Sequence, residues 1–122
     1  ELLQTNPIHL EANYCMAQIY FQMGDFDACM NLLDTILSIH PEHASSFLLG
    51  GQIYFTEGNL EKAKNCFAKA IEYNPKLVDA QIAYANTLLA EGNKEDAMQA
   101  FQTIISHHPE RSEIKSYLKN CL

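Results

Sequence analysis

Positive charge is missing from the first half of this chain: no Lys or Arg precedes Lys62, whereas acids run from Glu1 through Glu61, and the formal net charge is −7. Such a surface repels phosphate backbones and anionic lipid, which argues against nucleic acid and membranes as partners. Close cysteine pairs are missing too. Cys15, Cys29, Cys66 and Cys121 are scattered, whereas a secreted scaffold of this size spaces its cysteines to form staples. The scatter points to a reduced, intracellular and cytoplasmic setting, with these residues as small core fillers. No stretch approaches the roughly 18 unbroken apolar residues that cross a bilayer, and Glu1-Leu2-Leu3-Gln4 is not a basic region leading into an apolar run. The chain does not open on Met and starts as though in mid-helix, so it is expected to be a piece of a longer one. Its 122 residues, 48% hydrophobic and 19% charged, suit one domain.

Proline is scarce, and its spacing is informative. Pro7, Pro41, Pro75 and Pro109 are all of the prolines, and successive ones lie 34 residues apart. The same offset links Gly24, Gly58 and Gly92; the small residues Ala17, Gly51 and Ala85; and Tyr20, Tyr54 and Leu88. Cys29, Ala63 and Ala97 form another column, as do Leu33, Phe67 and Phe101, and Ile36, Ala70 and Ile104. A period of this size marks stacked supersecondary units, none of which can bury its apolar faces alone.

Within a unit, apolar residues recur at helical spacing, first as Met16, Ile19, Tyr20 and Met23, then as Cys29, Leu32, Leu33, Ile36 and Leu37. Each proline should follow a helix end, where its ring blocks continuation and its missing amide costs nothing. Gly24, Gly58 and Gly92 permit the tight turn between paired helices, and each precedes a natural cap. Asn59, with Lys62 after it, lacks a capping box, while Asp25 and Asn93 are the expected caps. This punctuation predicts helices near 10–23, 26–39, 44–57, 60–73, 78–91 and 94–107. The small column should let two helices approach closely, Ala17, Gly51 and Ala85 facing Cys29, Ala63 and Ala97. From Ser112 onward an amphipathic helix is expected, with Ile114, Leu118, Cys121 and Leu122 inward and Lys115 and Lys119 outward.

These columns resemble the tetratricopeptide repeat family, whose pattern places a small residue and an aromatic in a first helix, Gly at the turn, Ala and an aromatic in a second, and Pro after it. The match covers nearly the whole chain. The family's large aromatic early in the first helix is kept only as Phe47, with Asn13 and Gln81 in its place elsewhere. The resemblance implies an all-α fold, an α-solenoid in which stacked antiparallel helix pairs wind as a right-handed superhelix. It divides the chain into units at 10–43, 44–77 and 78–111, with 1–9 as the end of a preceding unit. Residues 112–122 become a capping helix, because Lys119 stands where a unit needs a small residue.

The resemblance further implies that each first helix lines a concave groove for a peptide. The residues it assigns there are Glu11, Tyr14, Gln18 and Phe21; Ser45, Leu48, Gln52 and Phe55; and Asp79, Ile82, Asn86 and Leu89. Gln18, Gln52 and Asn86 form an amide row able to pair with the backbone of an extended guest, and the flanking apolar rows would supply anchors. One subset of the family grips the acidic tails of heat-shock chaperones with Lys and Arg on these helices. The corresponding positions here hold Tyr14, Gln18, Leu49, Asp79 and Ala83, so that partner is not expected.

Other chemistry is sparse. His9, His40, His43, His107 and His108 gather around the prolines, and Pro41 between His40 and His43 breaks the helix a zinc-protease motif needs. They read as polar turn residues, so no metal is expected. Glu95-Asp96 and Asp25 with Asp27 sit at helix starts, where the macrodipole favours negative charge. With no phosphate loop and no nucleophile elbow, neither a cofactor nor an enzyme is expected. The reading that leads is an interaction module or scaffold holding a neutral-to-basic, partly apolar peptide or helix. Its alternatives are a structural segment of a large multi-subunit assembly, or an accessory region of an enzyme whose catalytic domain lies elsewhere.

Overall fold

The computed structural model describes residues 7–121. Among them the chain forms α1 (Pro7–Met23), α2 (Phe26–Ile39), α3 (Ala44–Thr56), α4 (Leu60–Tyr73), α5 (Val78–Ala90), α6 (Lys94–His107) and α7 (Glu113–Cys121), with no strand. Short turns join each helix to the next, and each packs on its neighbours in chain order, which makes the molecule an all-α solenoid. The segment 1–6 and residue 122 lie outside the described residues, and with them part of the expected end of a preceding unit and the inward Leu122.

The turn within each pair is one motif used three times. Gly24, Gly58 and Gly92 have φ of 81°, 84° and 88°. The next residue's amide reaches back to the last helical turn, Asp25 to Tyr20, Asn59 to Tyr54 and Asn93 to Leu88, each at 2.9 Å. This is the Schellman arrangement, which satisfies carbonyls the helix end would leave bare. Between pairs, His40, Asn74 and His108 donate their amides to Ile36, Ala70 and Ile104, and a proline follows each. Pro7 differs: it is the first residue of α1, three positions before the expected start, where proline is well tolerated.

The caps depart from expectation. Asp25 accepts from the Ala28 amide at 3.3 Å and Asn59 from the Lys62 amide at 3.3 Å. Asn93 makes no backbone cap, because its side-chain amide donates to the Asp96 carboxylate at 2.9 Å. A carboxylate in the first turn competes for the amide, and Lys62 offers none.

The core follows the columns. Ala17, Ala85, Cys29, Ala63 and Ala97 are fully buried, as are Phe67 and Phe101 to within 1%. In the third pair, Ile82, Ala85, Phe101 and Ile104 form a cluster that α7 closes with Ile114 and Cys121, and Phe101 stacks on Tyr117 with ring centroids 5.3 Å apart. Leu118 is half-buried, whereas Lys115 and Lys119 are exposed. Two expectations fail. Cys15 is exposed and not a core filler, and Met16, Ile19 and Met23 are exposed too, because their face of α1 meets no other helix among the described residues.

Candidate functional site

Helices α1, α3 and α5 are the first members of their pairs, and α3 contacts both α1 and α5 directly. Between them lies a groove of about 590 Å³. Five of the expected residues meet there: Phe21 from α1, Gln52 and Phe55 from α3, and Asn86 and Leu89 from α5. Phe55 is 36% exposed, and the other four are half-buried. One apolar row, Phe21, Phe55 and Leu89, and two members of the amide row, Gln52 and Asn86, thus converge on one cavity, whereas the row of Tyr14, Leu48 and Ile82 does not line it.

The groove also has lining that the residue pattern did not reveal. Thr56 and Ala90 complete one wall, Ala83 contributes from α5, and Phe67 forms part of the floor from α4. Phe67 can reach it only because residue 51 has no side chain: a Cβ there would lie 2.5 Å from Phe67 Cε1. Glycine in the small column was the available signal, read as room for Ala63 when the space belongs to the Phe67 ring.

The remaining expected residues are placed differently. Tyr14 and Ser45 do meet, but in a structural contact, since the Tyr14 hydroxyl donates to the Ser45 carbonyl at 3.2 Å. The ring also stands edge-on to His43, with centroids 5.3 Å apart. Burial pushes the Tyr14 phenol up, partly offset by that hydrogen bond, and pushes the His43 imidazole down, with His40 adding to the effect. Tyr14 therefore fastens α1 to the start of α3. Ile82 is only 7% exposed, within the cluster that α7 covers, and offers a guest little surface. Glu11 and Gln18 are exposed on α1 and Leu48 is half-buried on α3, none of them lining the cavity.

Asp79 is engaged from outside the first helices. Arg111, in the turn before α7, donates to its carboxylate at 2.8 Å and to Glu113 at 2.8 Å. The acid at the start of α5 is thus already paired with a base, which is itself held by two carboxylates. At the other end of α5, Lys64 of α4 pairs with Glu91 at 3.0 Å. Among the described residues, no three His, Cys, Asp or Glu side chains come together in a way that could hold a metal.

The described architecture, paired helices stacked around an open apolar groove, defines a helical-repeat protein. A tetratricopeptide repeat profile matches residues 54–121, more than half of the chain, and the profile of the second ARM domain of tetratricopeptide repeat protein 21 matches residues 1–58. The chain belongs to the tetratricopeptide repeat family. Among solved structures it is similar to the first such domain of Spaghetti (RPAP3), bound to an HSP90 peptide, with a TM-score of 0.84 at 15% identity over 92% of this chain and 89% of that one. It is similar to the TPR2B domain of yeast Sti1 in complex with an Hsp70 peptide, with a TM-score of 0.83 at 19% identity over 92% and 94%. It also resembles a mutant O-GlcNAc transferase of Thermobaculum terrenum, with a TM-score of 0.85 at 21% identity, but spans only 22% of that protein. At these identities the likeness is one of fold. Among curated proteins, no relative matches the chain.

Proposed function

We propose that this chain is a protein-interaction module whose groove takes a peptide or helix of neutral-to-basic, partly apolar character. The observation that carries it is the convergence of Phe21, Phe55 and Leu89 around the amides of Gln52 and Asn86 in one open cavity. Apolar side chains of a guest would fill the space between the rings, and the two amides would meet its backbone groups whatever its sequence. Catalysis has no part in this reading: the chain acts by holding, in a reduced intracellular setting. The units at 10–43, 44–77 and 78–111 supply the groove helices, and α7, with Lys115 and Lys119 exposed, packs on the last of them.

Chaperone tails fit this groove poorly, although two of the similar structures hold chaperone peptides. No Lys or Arg occurs on α1, α3 or α5, Leu49 is buried, and Arg111 is already paired with Asp79 and Glu113. A defined peptide panel tests the reading. Peptides mixing Lys or Arg with large apolar residues should bind, whereas the acidic peptide SRMEEVD and acidic-tail relatives should not. Preference for the acidic set would overturn the assignment of guest class.

A further inference from the structure

Two columns of the repeat line the groove, Phe21, Phe55 and Leu89 in one and Gln52 and Asn86 in the other, with 34 residues between successive members. Helices α1, α3 and α5 run in the same direction, so the members of a column stand at the same height on neighbouring helices. Each column is therefore a line across the helices. α3 touches both α1 and α5, and helices in contact lie about 8–10 Å apart. The groove thus repeats its apolar and amide groups at that interval. A guest matches it only if its own free groups recur at the same interval on one side. An α-helix keeps its backbone groups paired internally, which leaves the amides no main-chain partner. A β-strand returns the same face every second residue, after about 6.6 Å, which is too short. A polyproline II chain has three residues per turn at about 3.1 Å each and no internal hydrogen bonds, so the same face returns about every 9.3 Å with its backbone free.

We propose that the guest of the groove is an extended peptide in the polyproline II form, lying across α1, α3 and α5, with an apolar side chain at every third position and Lys or Arg between. This guest class rests on the groove reading above and narrows it. Two of its apolar side chains fill the gaps between Phe21 and Phe55 and between Phe55 and Leu89. The amides of Gln52 and Asn86 then donate to guest carbonyls three residues apart. Ala83 and Ala90, both in the lining, leave room on the α5 side for a backbone to come close. Charge selects the residues between. Phe21, Phe55 and Leu89 lie in the last turns of their helices, where the dipoles present partial negative charge, and none of those turns holds a base. Glu57, exposed, follows directly on the lining residue Thr56. A guest cation is favoured there, and proline is accepted because its carbonyl remains and its fixed φ suits this form.

Three synthetic peptides, each titrated calorimetrically into the whole chain, test the interval. The first is three Leu-Pro-Lys triplets, with leucine at every third position. The second holds the same residues reordered so that leucine falls at every second position. The third is a side-chain-stapled helix of Ala and Lys with leucines three and four residues apart, so that it too is ordered before it binds. The first should bind at least about tenfold more tightly than either of the others, because only its groups meet both columns without rearrangement. Phe55→Ala and Gln52→Ala should each weaken it, with helicity of the chain retained. Tighter binding of the stapled helix, or equal binding of the two Leu-Pro-Lys orders, would overturn the proposal. If that binding were still lost in Phe55→Ala, the groove would remain the site and only the guest's form would be wrong. Failure of all three peptides to bind would overturn the groove reading as well.

Discussion

Gly51 and Phe67 occupy one volume: the position a Cβ would take on Gly51 lies 2.5 Å from Cε1 and 2.8 Å from Cδ1 of the Phe67 ring. The ring is fully buried and forms the groove floor, so it has little room to give way. Gly51→Ala should therefore destabilise the chain by about 1–3 kcal/mol, the usual cost of overpacking. The adjacent glycine behaves in the opposite sense. A Cβ on Gly50 would meet only Leu33 Cδ1, at 3.8 Å, and Gly50→Ala should stabilise α3 by about 0.5–1 kcal/mol through helix propensity. Urea unfolding of the two variants checks both signs at once.

Tyr14→Phe removes the hydroxyl that donates to the Ser45 carbonyl at 3.2 Å while leaving the ring on His43. The loss should be about 0.5–1 kcal/mol of stability, read by thermal unfolding. Guest affinity should stay unchanged, because Tyr14 does not line the cavity.

The cap exchange makes a paired prediction. Asn59→Ala removes an acceptor from the Lys62 amide and should cost about 1 kcal/mol. Asn93→Ala removes only the exposed contact with Asp96 and should cost less than about 0.5 kcal/mol. Equal losses in denaturant unfolding would show that Asn93 caps α6 in solution.

His43 gives the stability a pH dependence. Burial, with His40 nearby, holds its imidazole below the usual 6.5, so the unfolded chain takes up a proton more readily than the folded one. The associated stability is complete above that unfolded value and is lost as pH falls through the lower folded one. Melting temperature should fall on acidification below pH 6.5, and His43→Gln should flatten the slope.

The stacked all-helical fold was legible because its punctuation is local chemistry. Pro41, Pro75 and Pro109 follow helix ends and Gly24, Gly58 and Gly92 permit left-handed turns through their own backbone chemistry, so their columns located the helices to within a few residues. What escaped depends on side-chain reach between distant segments. Leu48 and Ile82 share a column, yet Ile82 is buried because α7 packs over its end of the solenoid. Asp79 gave no sign of Arg111, which is 32 residues away and comes to it from a turn. Asn59 and Asn93 share a column as well, and only the side chain three residues on, Lys62 or Asp96, decides which caps. Met16, Ile19 and Met23 obey the helical period of a buried face but lie at an edge of the described stack.

The central claim is that the guest lies among Phe21, Gln52, Phe55, Asn86 and Leu89, and calorimetric titration of one basic, apolar peptide from the panel tests it most directly. Phe55→Ala and Leu89→Ala should each weaken binding by about 1–3 kcal/mol, and Gln52→Ala by about 1 kcal/mol, with helicity retained. Lys115→Ala and Lys119→Ala, on the exposed face of α7, should leave the titration unchanged. Unaltered binding in the groove variants, together with its loss on substituting exposed residues of α2 and α4, would contradict the account and move the site to the opposite face.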